Sequence, residues 1–169
     1  PLRWGHVKWD VSGAKWPPVS PDKQSRPMSK LACNVSDLTV PVKIVKGQDP
    51  LHILGSGEQV RHYTYGGDLA RGIVLSLDHP AAHNSDFNIS TPHGHTVTQL
   101  AQTIWSKIKG PDVPLRLIHD EGFEHDVQKR IPDVSKAKAV LGFEATTTLD
   151  DMLDEVIPWI INAVDDGTI

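Results

Sequence analysis

The chain has 169 residues, 38% of them hydrophobic, and a formal net charge of -4, which is typical of one soluble domain with or without a tail. No apolar run is long enough to cross a membrane, and the basic residues form no cluster of the kind that binds nucleic acid. Cys33 is the single cysteine, which excludes an internal disulfide and fits a reducing cytoplasm. Because the first residues show no signal-peptide pattern, we expect a cytoplasmic protein whose partners are neither membranes nor nucleic acids.

Residues 1–34 differ in character from the rest of the chain. Trp4, Trp9 and Trp16 stand among prolines and glycines with no helical or strand period, so we expect an irregular segment. These tryptophans are typical of packing against a neighbouring surface, and stacking on a base or a sugar is the alternative. Residues 35–169 form a second region, which opens with a weak helical pattern that Pro41 disturbs.

Two strand patterns joined by a glycine turn lie near the start of this second region. Leu51–Leu54 is a short apolar run, Gly55-Ser56-Gly57 tolerates positive φ, and the residues from 59 to 65 alternate in polarity. This order predicts a β-hairpin. The alternation places the guanidinium of Arg61 on one strand face with three other side chains, those of Gln59, Tyr63 and Tyr65. That face is a candidate anion site.

Helices and short strands account for the remainder of the chain. Four residues are placed to open helices, namely Asp68, Thr96, Asp133 and Thr148. The first of these helices has an apolar stripe formed by Leu69, Ile73, Val74 and Leu77. Pro158 should kink the last helix. Short strands are predicted over residues 86–90 and 115–118.

Two arginines are the most informative charged residues. The planar fork of Arg61 can make a two-point contact to a phosphate or diphosphate, and the alternative is a surface ion pair with a carboxylate such as Asp68. Arg130 comes just before a predicted helix start, where free backbone N–H groups favour anions. The alternative for Arg130 is a solvated charge.

Other kinds of chemistry have little support in the sequence. His93-Gly94-His95 and the run from His119 to Asp126 contain metal-ligand residues but match no recognised ligand spacing, so we expect no metal site. No serine lies in a Gly-x-Ser-x-Gly turn, and we expect no catalytic nucleophile. Gly55 and Gly57 do not extend to the Gly-x-Gly-x-x-Gly pattern of a dinucleotide site.

Five motifs follow one another in a recognisable order. They are Lys46-Gly47-Gln48-Asp49-Pro50, the segment from Leu54 to Ala70, Phe87-Asn88, the segment from Arg130 to Ala137, and Leu141-Gly142-Phe143. Together they resemble the C-terminal part of the extended short-chain dehydrogenase/reductase family, the NAD-dependent nucleotide-sugar epimerases and dehydratases. The similarity covers about residues 35–169.

This resemblance implies an α/β fold that is only part of the family's structure. We expect a substrate-binding region with a β-hairpin and several helices, without a complete Rossmann half. The resemblance further implies that Arg61 binds the diphosphate of a UDP- or dTDP-sugar, that Arg130 lines the same site, and that Asp126 contacts the ribose. Many members carry an arginine three residues before that acid, where this chain has Phe123, which weakens the expected grip on the diphosphate.

The family's catalytic machinery is missing from this sequence. Members bind NAD through a glycine-rich turn and exchange protons through a Tyr-x-x-x-Lys pair, but Tyr63 and Tyr65 have Gly67 and Leu69 four residues later. We therefore expect the substrate-binding part of such an enzyme, inactive alone and without tight NAD binding. The alternative is a non-catalytic nucleotide-sugar-binding module, or a subunit completed by a separate NAD-binding polypeptide. A homodimer is the other assembly that we expect.

Overall fold

The computed structural model describes residues 35–169, so the irregular segment expected over residues 1–34 lies outside the described residues. Helices and short strands alternate through the described part, which confirms the α/β prediction. None of its helices is both long enough and apolar enough to cross a membrane. In chain order the elements are α1 (Val35–Val45), β1 (Leu51–Leu54), β2 (Val60–Arg61), α2 (Gly66–Asp78), a 3₁₀ turn (Pro80–Ala82), β3 (His95–Thr96), α3 (Val97–Lys109), β4 (Leu117–Asp120), α4 (Ser135–Leu141) and α5 (Leu149–Asp165).

The strands form two separate two-stranded sheets. β1 pairs in parallel with β4, so that Leu51 lies opposite Leu117. β2 pairs antiparallel with β3, with Arg61 opposite His95. The predicted hairpin is therefore wrong, because β1 and β2 belong to different sheets, although β1 itself lies where the sequence predicts a strand.

The glycine turn after β1 carries the chain from one sheet to the other. Gly55 N donates to Asp120 O at 3.0 Å, which extends the ladder between β1 and β4, and Thr98 N donates to Gly57 O at 3.0 Å. Gly57 has a φ of +76°, and a Cβ at this position would overlap the side chains of Thr98 and Ile53. The backbone groups of this turn are therefore hydrogen-bonded to β4 and to the first turn of α3, and not across a hairpin. Alternating polarity does not reveal which partner a strand will have.

Capping residues mark the beginnings of α3 and α5 as expected. Thr96 Oγ1 accepts from Gln99 N at 3.0 Å, and Gln99 Oε1 accepts from Thr96 N at 2.8 Å, which completes a capping box. Thr148 caps α5. The predicted cap of α4 is wrong by one position, because the cap residue is Val134, which makes no side-chain capping hydrogen bond. Asp133 precedes it, and its side chain accepts from Ser135 N at 2.9 Å. α5 continues as one helix through Pro158 to Asp165.

Asp68 does not cap α2, contrary to the prediction. The cap position is Tyr65, which makes no side-chain capping hydrogen bond. The buried carboxylate of Asp68 instead accepts from the guanidinium of Arg71 and from the backbone N–H groups of Thr146 and Thr147. It therefore joins α2 to the segment that precedes α5.

The apolar stripe of α2 does not face the core of the described residues. Ile73 and Val74 are about half exposed, and Leu77 is 79% exposed. The buried side of the helix contains Gly72, where an added Cβ would overlap Ile89 and lie 3.0 Å from Phe143. Close approach at a glycine, rather than burial of the stripe, decides how α2 packs.

Residues 86–90 do not form the predicted strand. Phe87 and Ile89 pack against a small hydrophobic cluster around Phe143, and Asn88 Nδ2 donates to Asp133 O at 2.9 Å. Within residues 35–169, no strand pairs with this segment. Its apolar residues are used for packing, because a strand needs a neighbouring backbone to pair with.

A larger hydrophobic cluster joins α1, β1, α3 and α5. Its buried members include Ile44, Leu51, Ile53, Leu100, Trp105, Leu153 and Ile157. This cluster holds α1 and α3 against β1. The arrangement leaves the exposed end of β1, the start of α3 and the loop after β4 close to one another.

Candidate functional site

A cavity of about 150 Å³ lies where these elements meet. Helices α1 and α3, strands β1 and β2, and the loop after β4 all contribute lining residues. The polar and charged residues of the lining are Thr39, Lys43, His52, Gln59, Arg61 and Asp126, and the others are Val40, Ile53, Leu54, Val97, Leu100, Gly122 and Phe123. The cavity thus combines both charge signs with apolar surface.

Arg61 is held in the cavity by three hydrogen bonds. Its Nη1 donates to Val60 O at 3.0 Å and to Val127 O at 2.7 Å, and its Nη2 donates to Asp126 Oδ1 at 3.0 Å. The side chain is only 17% exposed. A guanidinium carries more N–H donors than these contacts use, so a ligand can bind to a fork that is already oriented. The alternative, an ion pair between Arg61 and a carboxylate, is present as well, but its partner is Asp126. Asp68, the partner suggested from the sequence, pairs with Arg71 instead.

The loop after β4 brings Phe123 and Asp126 to the same cavity. Gly122 packs against Gly55, and a Cβ added to Gly122 would lie 3.1 Å from the Cα of Gly55. Asp126 N donates to Phe123 O at 3.2 Å, which closes a turn between the two residues. The side chain of Asp126 is 26% exposed and lies beside Arg61. Its contact with a ribose stays a prediction.

Sequence analysis missed three polar residues of this lining, Thr39, Lys43 and His52. Lys43, in the last turn of α1, donates from Nζ to His52 O at 3.0 Å. His52 Nδ1 lies 2.9 Å from Asp120 Oδ1 on the paired strand β4. The available signal was the position of His52 between two buried residues of β1, since alternation directs its side chain to the opposite face.

Arg130 occupies a different position from Arg61. It is not among the residues that line this cavity, and its side chain is exposed. Its backbone N–H donates to Val60 O at 3.4 Å, which ties the chain before α4 to β2. A role for the Arg130 side chain in binding stays a prediction.

Neither of the two tyrosines expected beside Arg61 is among the residues that line this cavity. β2 ends at Arg61, so the strand alternation does not continue to them. Tyr63 packs against the larger hydrophobic cluster. Tyr65 donates from its hydroxyl to Glu155 Oε2 at 2.6 Å, and this hydrogen bond, followed by desolvation, raises the pKa of Tyr65. A phenol with a raised pKa is poorly suited to act as a proton acceptor near neutral pH.

The histidine-rich runs do not assemble into a metal centre in the described part of the chain. Among residues 35–169, no three side chains of His, Cys, Asp or Glu lie close enough together to hold a metal ion. His95, in β3, has its pKa lowered by burial and then by the nearby His93 and His62. At neutral pH this group therefore contributes little positive charge.

A known protein family matches most of this chain. Residues 32–156, more than half of the sequence, match the family model described as GDP-mannose 4,6 dehydratase. The chain belongs to the extended short-chain dehydrogenase/reductase family of nucleotide-sugar epimerases and dehydratases. The five motifs that carried the resemblance all lie within the matched residues 32–156.

Curated relatives in this epimerase/dehydratase family match over a limited part of their own length. UDP-glucuronic acid decarboxylase 1 of Xenopus tropicalis is 31% identical over 109 residues, which is 64% of this chain and 25% of that protein. UDP-D-apiose/UDP-D-xylose synthase 1 of Arabidopsis thaliana is 29% identical over 125 residues, covering 66% of this chain and 32% of the synthase. The chain thus spans about a quarter to a third of these relatives.

Solved structures of family members share the fold. UDP-glucose 4-epimerase of Thermotoga maritima, solved with UDP-glucose, has a TM-score of 0.65 and 30% identity, with 76% of this chain and 40% of the epimerase covered. UDP-glucuronic acid 4-epimerase of Bacillus cereus, solved with UDP-glucuronic acid and NAD, has a TM-score of 0.68, 22% identity and the same coverages of 76% and 40%. At that identity the second structure supports the fold alone.

The described residues of this family member do not fit the pyrophosphate of NAD. Such a site needs a glycine-rich turn that opens a helix and leaves room for the phosphates. Gly55 and Gly57 open no helix and are packed against Gly122 and Thr98. At the start of α2, the ring of Tyr65 occupies the space beside Gly67. We therefore assign no NAD contacts to residues 35–169.

Proposed function

We propose that residues 35–169 are the substrate-binding region of an NAD-dependent nucleotide-sugar epimerase or dehydratase and bind the nucleotide part of a UDP- or dTDP-sugar in the cytoplasm. The observation that carries this proposal is the geometry of Arg61. Its guanidinium is mostly buried, oriented by the loop after β4, and placed at the wall of a cavity. A planar fork held in this way suits phosphate oxygens.

The charges of the cavity agree with an anionic ligand. Lys43 and Arg61 are cations, and Asp126 is the carboxylate among the lining residues, so one positive charge is in excess when His52 is counted as neutral. Asp126 also offers an oxygen that can accept from a sugar hydroxyl. Arg61 and Asp126 are therefore the residues proposed for the phosphate and the ribose, and Arg130 is proposed as an outer phosphate contact.

Calorimetric titration with UDP and dTDP tests this proposal directly. We expect saturable binding that Arg61→Ala weakens by about 1.5–3 kcal/mol, the range for a hydrogen bond to a charged group. Arg116→Ala is the matched control, because Arg116 is exposed and pairs with Asp49 outside the cavity. Equal affinities in all three proteins, each shown to be folded by circular dichroism, would contradict the role of Arg61.

We also propose that this chain does not catalyse epimerisation or dehydration alone. The sequence has no Tyr-x-x-x-Lys pair, and the raised pKa of Tyr65 opposes its use as a base. Incubation of the purified chain with NAD and UDP-glucose or UDP-glucuronic acid should give no new sugar nucleotide by mass-resolved chromatography. Turnover that persists through repeated purification would overturn the proposal.

A second candidate function is that of a nucleotide-sugar-binding subunit completed by an NAD-binding polypeptide. The exposed aliphatic side chains of α2, Ile73, Val74 and Leu77, favour it, because a row of this kind is typical of an interface. The solved family members are more than twice as long as the matched region. Their remaining part is therefore the proposed occupant of this face.

Recovery of the tagged chain from its own cells tests this second candidate. A co-purifying polypeptide supports it only if sequencing reveals both a glycine-rich NAD motif and a Tyr-x-x-x-Lys pair. Leu77→Lys should release that polypeptide, while Val113→Lys, at an exposed residue outside α2, should retain it. Recovery of a monomer, or of a homodimer that Leu77→Lys separates, would count against the complementary subunit.

A further inference from the structure

Phe123 is the most exposed apolar residue among those that line the cavity. It is 73% exposed, yet it belongs to the lining together with Arg61 and Asp126. Its position is constrained on both sides, because Gly122 packs against Gly55 and Phe123 O accepts from Asp126 N. The ring is therefore presented on an anchored turn at the edge of the cavity.

Charge gives this cavity little means of holding more than one phosphate firmly. Asp126 already accepts a hydrogen bond from Arg61 Nη2, and Lys43 Nζ donates to the backbone of β1. With one positive charge in excess among the lining residues, a further phosphate adds negative charge that no other cation of the lining meets, and Arg130 outside the lining is exposed to solvent, which screens its charge. Affinity beyond the first phosphate must come from another part of the ligand.

An exposed aromatic ring can supply that affinity to a planar base. Stacking on an aromatic side chain is favourable for every nucleobase, since each base has a π face, and the ring of Phe123 has most of its surface open to a ligand. We propose that Phe123 is a base-stacking residue of this site and that the nucleobase, rather than the number of phosphates, provides most of its affinity. This inference rests on the proposed nucleotide site.

Calorimetry with uridine monophosphate, ribose 5-phosphate and UDP separates the contributions of base and phosphate. The unmodified chain should bind uridine monophosphate at least about tenfold more tightly than ribose 5-phosphate, and UDP less than about fivefold more tightly than uridine monophosphate. Phe123→Leu keeps an apolar side chain without a ring and should bring the first ratio close to one. Phe123→Trp keeps a stacking surface and should retain the ratio.

Arg61→Ala is the complementary variant, because it alters the phosphate contact and leaves the ring in place. It should weaken uridine monophosphate and ribose 5-phosphate by similar factors and so preserve the advantage of the base. If Phe123→Leu keeps the full advantage, or if UDP binds more than about fivefold more tightly than uridine monophosphate, the inference fails while the nucleotide site stands. If the folded chain binds none of the three ligands, the proposed function fails as well.

Discussion

A single buried carboxylate connects α2 to the segment before α5. Asp68 Oδ2 accepts from Thr146 N at 3.1 Å and from Thr147 N at 2.9 Å, and Oδ1 accepts from Arg71 Nη2 at 2.7 Å. Desolvation raises the pKa of Asp68, but the hydrogen bonds from Arg71 and Thr147 outweigh it, and the net pKa is lowered. Because the folded-state pKa is depressed, the ionised carboxylate stabilises the fold above its unfolded pKa of about 3.9, and this stabilisation is lost as pH falls through the folded pKa.

Asp68→Asn should therefore lower the free energy of unfolding by about 1–3 kcal/mol at neutral pH. The amide has a single oxygen, so its nitrogen opposes either the two backbone N–H donors or the guanidinium of Arg71, and in both cases Arg71 loses its charged partner. Urea unfolding measured near pH 7 and near pH 3 should show the gap between the two proteins narrowing in acid. Asp86→Asn, at an exposed carboxylate paired with Lys136, is the control and should change stability little. An equal difference in the free energy of unfolding at both pH values would mean that the charge of Asp68 is not the source of that difference.

Among single residues, those that belong to a motif or have a distinctive functional group were easier to predict than those that reach the cavity only through the packing of neighbouring elements. Arg61 was identified because the planar fork of a strand arginine can make a two-point contact to phosphate, and Asp126 through the family resemblance. Lys43 and His52 were not identified, since neither belongs to a motif and their closeness depends on how α1 packs against β1. Arg130 was identified by its place before a helix, but that place lies outside the cavity lining.

At the scale of the element, α2 shows how packing can reverse the meaning of a sequence pattern. Glycine normally disfavours a helix by about 1 kcal/mol relative to alanine. At Gly72, however, a Cβ would overlap Ile89 and lie 3.0 Å from Phe143. The absence of a side chain is what allows α2 to approach the smaller hydrophobic cluster.

Gly72→Ala should destabilise the fold by about 1–3 kcal/mol, because overpacking exceeds the gain in helix propensity. Gly66→Ala, in the same helix, is the matched control, since an added Cβ there has no heavy atom within 4 Å. The control should be neutral or slightly more stable than the unmodified chain. Thermal and urea unfolding would both report the difference, and two equally stable variants would refute the packing argument.

Elements that are marked by residues close together in the sequence were predicted correctly, and elements that depend on distant residues were not. The capping box at Thr96 and Gln99 identified α3 at both the residue and the atom level, because its partners are only one helical turn apart. Strand pairing involves residues far apart in sequence, and the parallel pairing of β1 with β4 was not predicted. Residues 86–90 have strand-like composition but no pairing partner in the described region.

On the scale of the whole molecule, Trp105 is central to the larger hydrophobic cluster. Its side chain is 2% exposed, and its indole N–H donates to Val113 O at 2.9 Å. The residue therefore fills volume between helices and also satisfies a carbonyl in the connection between α3 and β4. Losing either function lowers the stability of the entire described region.

Trp105→Phe should reduce the free energy of unfolding by about 1–3 kcal/mol, because it removes the hydrogen bond and leaves unfilled volume. Trp159→Phe is the control, since Trp159 in α5 is only half-buried, and its effect should be clearly smaller. Urea titrations followed by far-ultraviolet circular dichroism should show a lower midpoint with an unchanged slope for Trp105→Phe. Equal midpoints in the two variants would contradict the central role of Trp105.

The sequence by itself determined the family, the α/β composition, the capped helices and the arginine with the strongest claim to a phosphate. These features depend on residue type, short spacings and the order of motifs, all of which are present in a linear chain. Tertiary structure alone decided that β1 and β2 join different sheets, that much of the apolar stripe of α2 is exposed, and that Lys43 and His52 line the same cavity as Arg61. The physical reason is that strand pairing, close packing at glycine and the assembly of a cavity are all contacts between distant segments, whose energies depend on the complete fold.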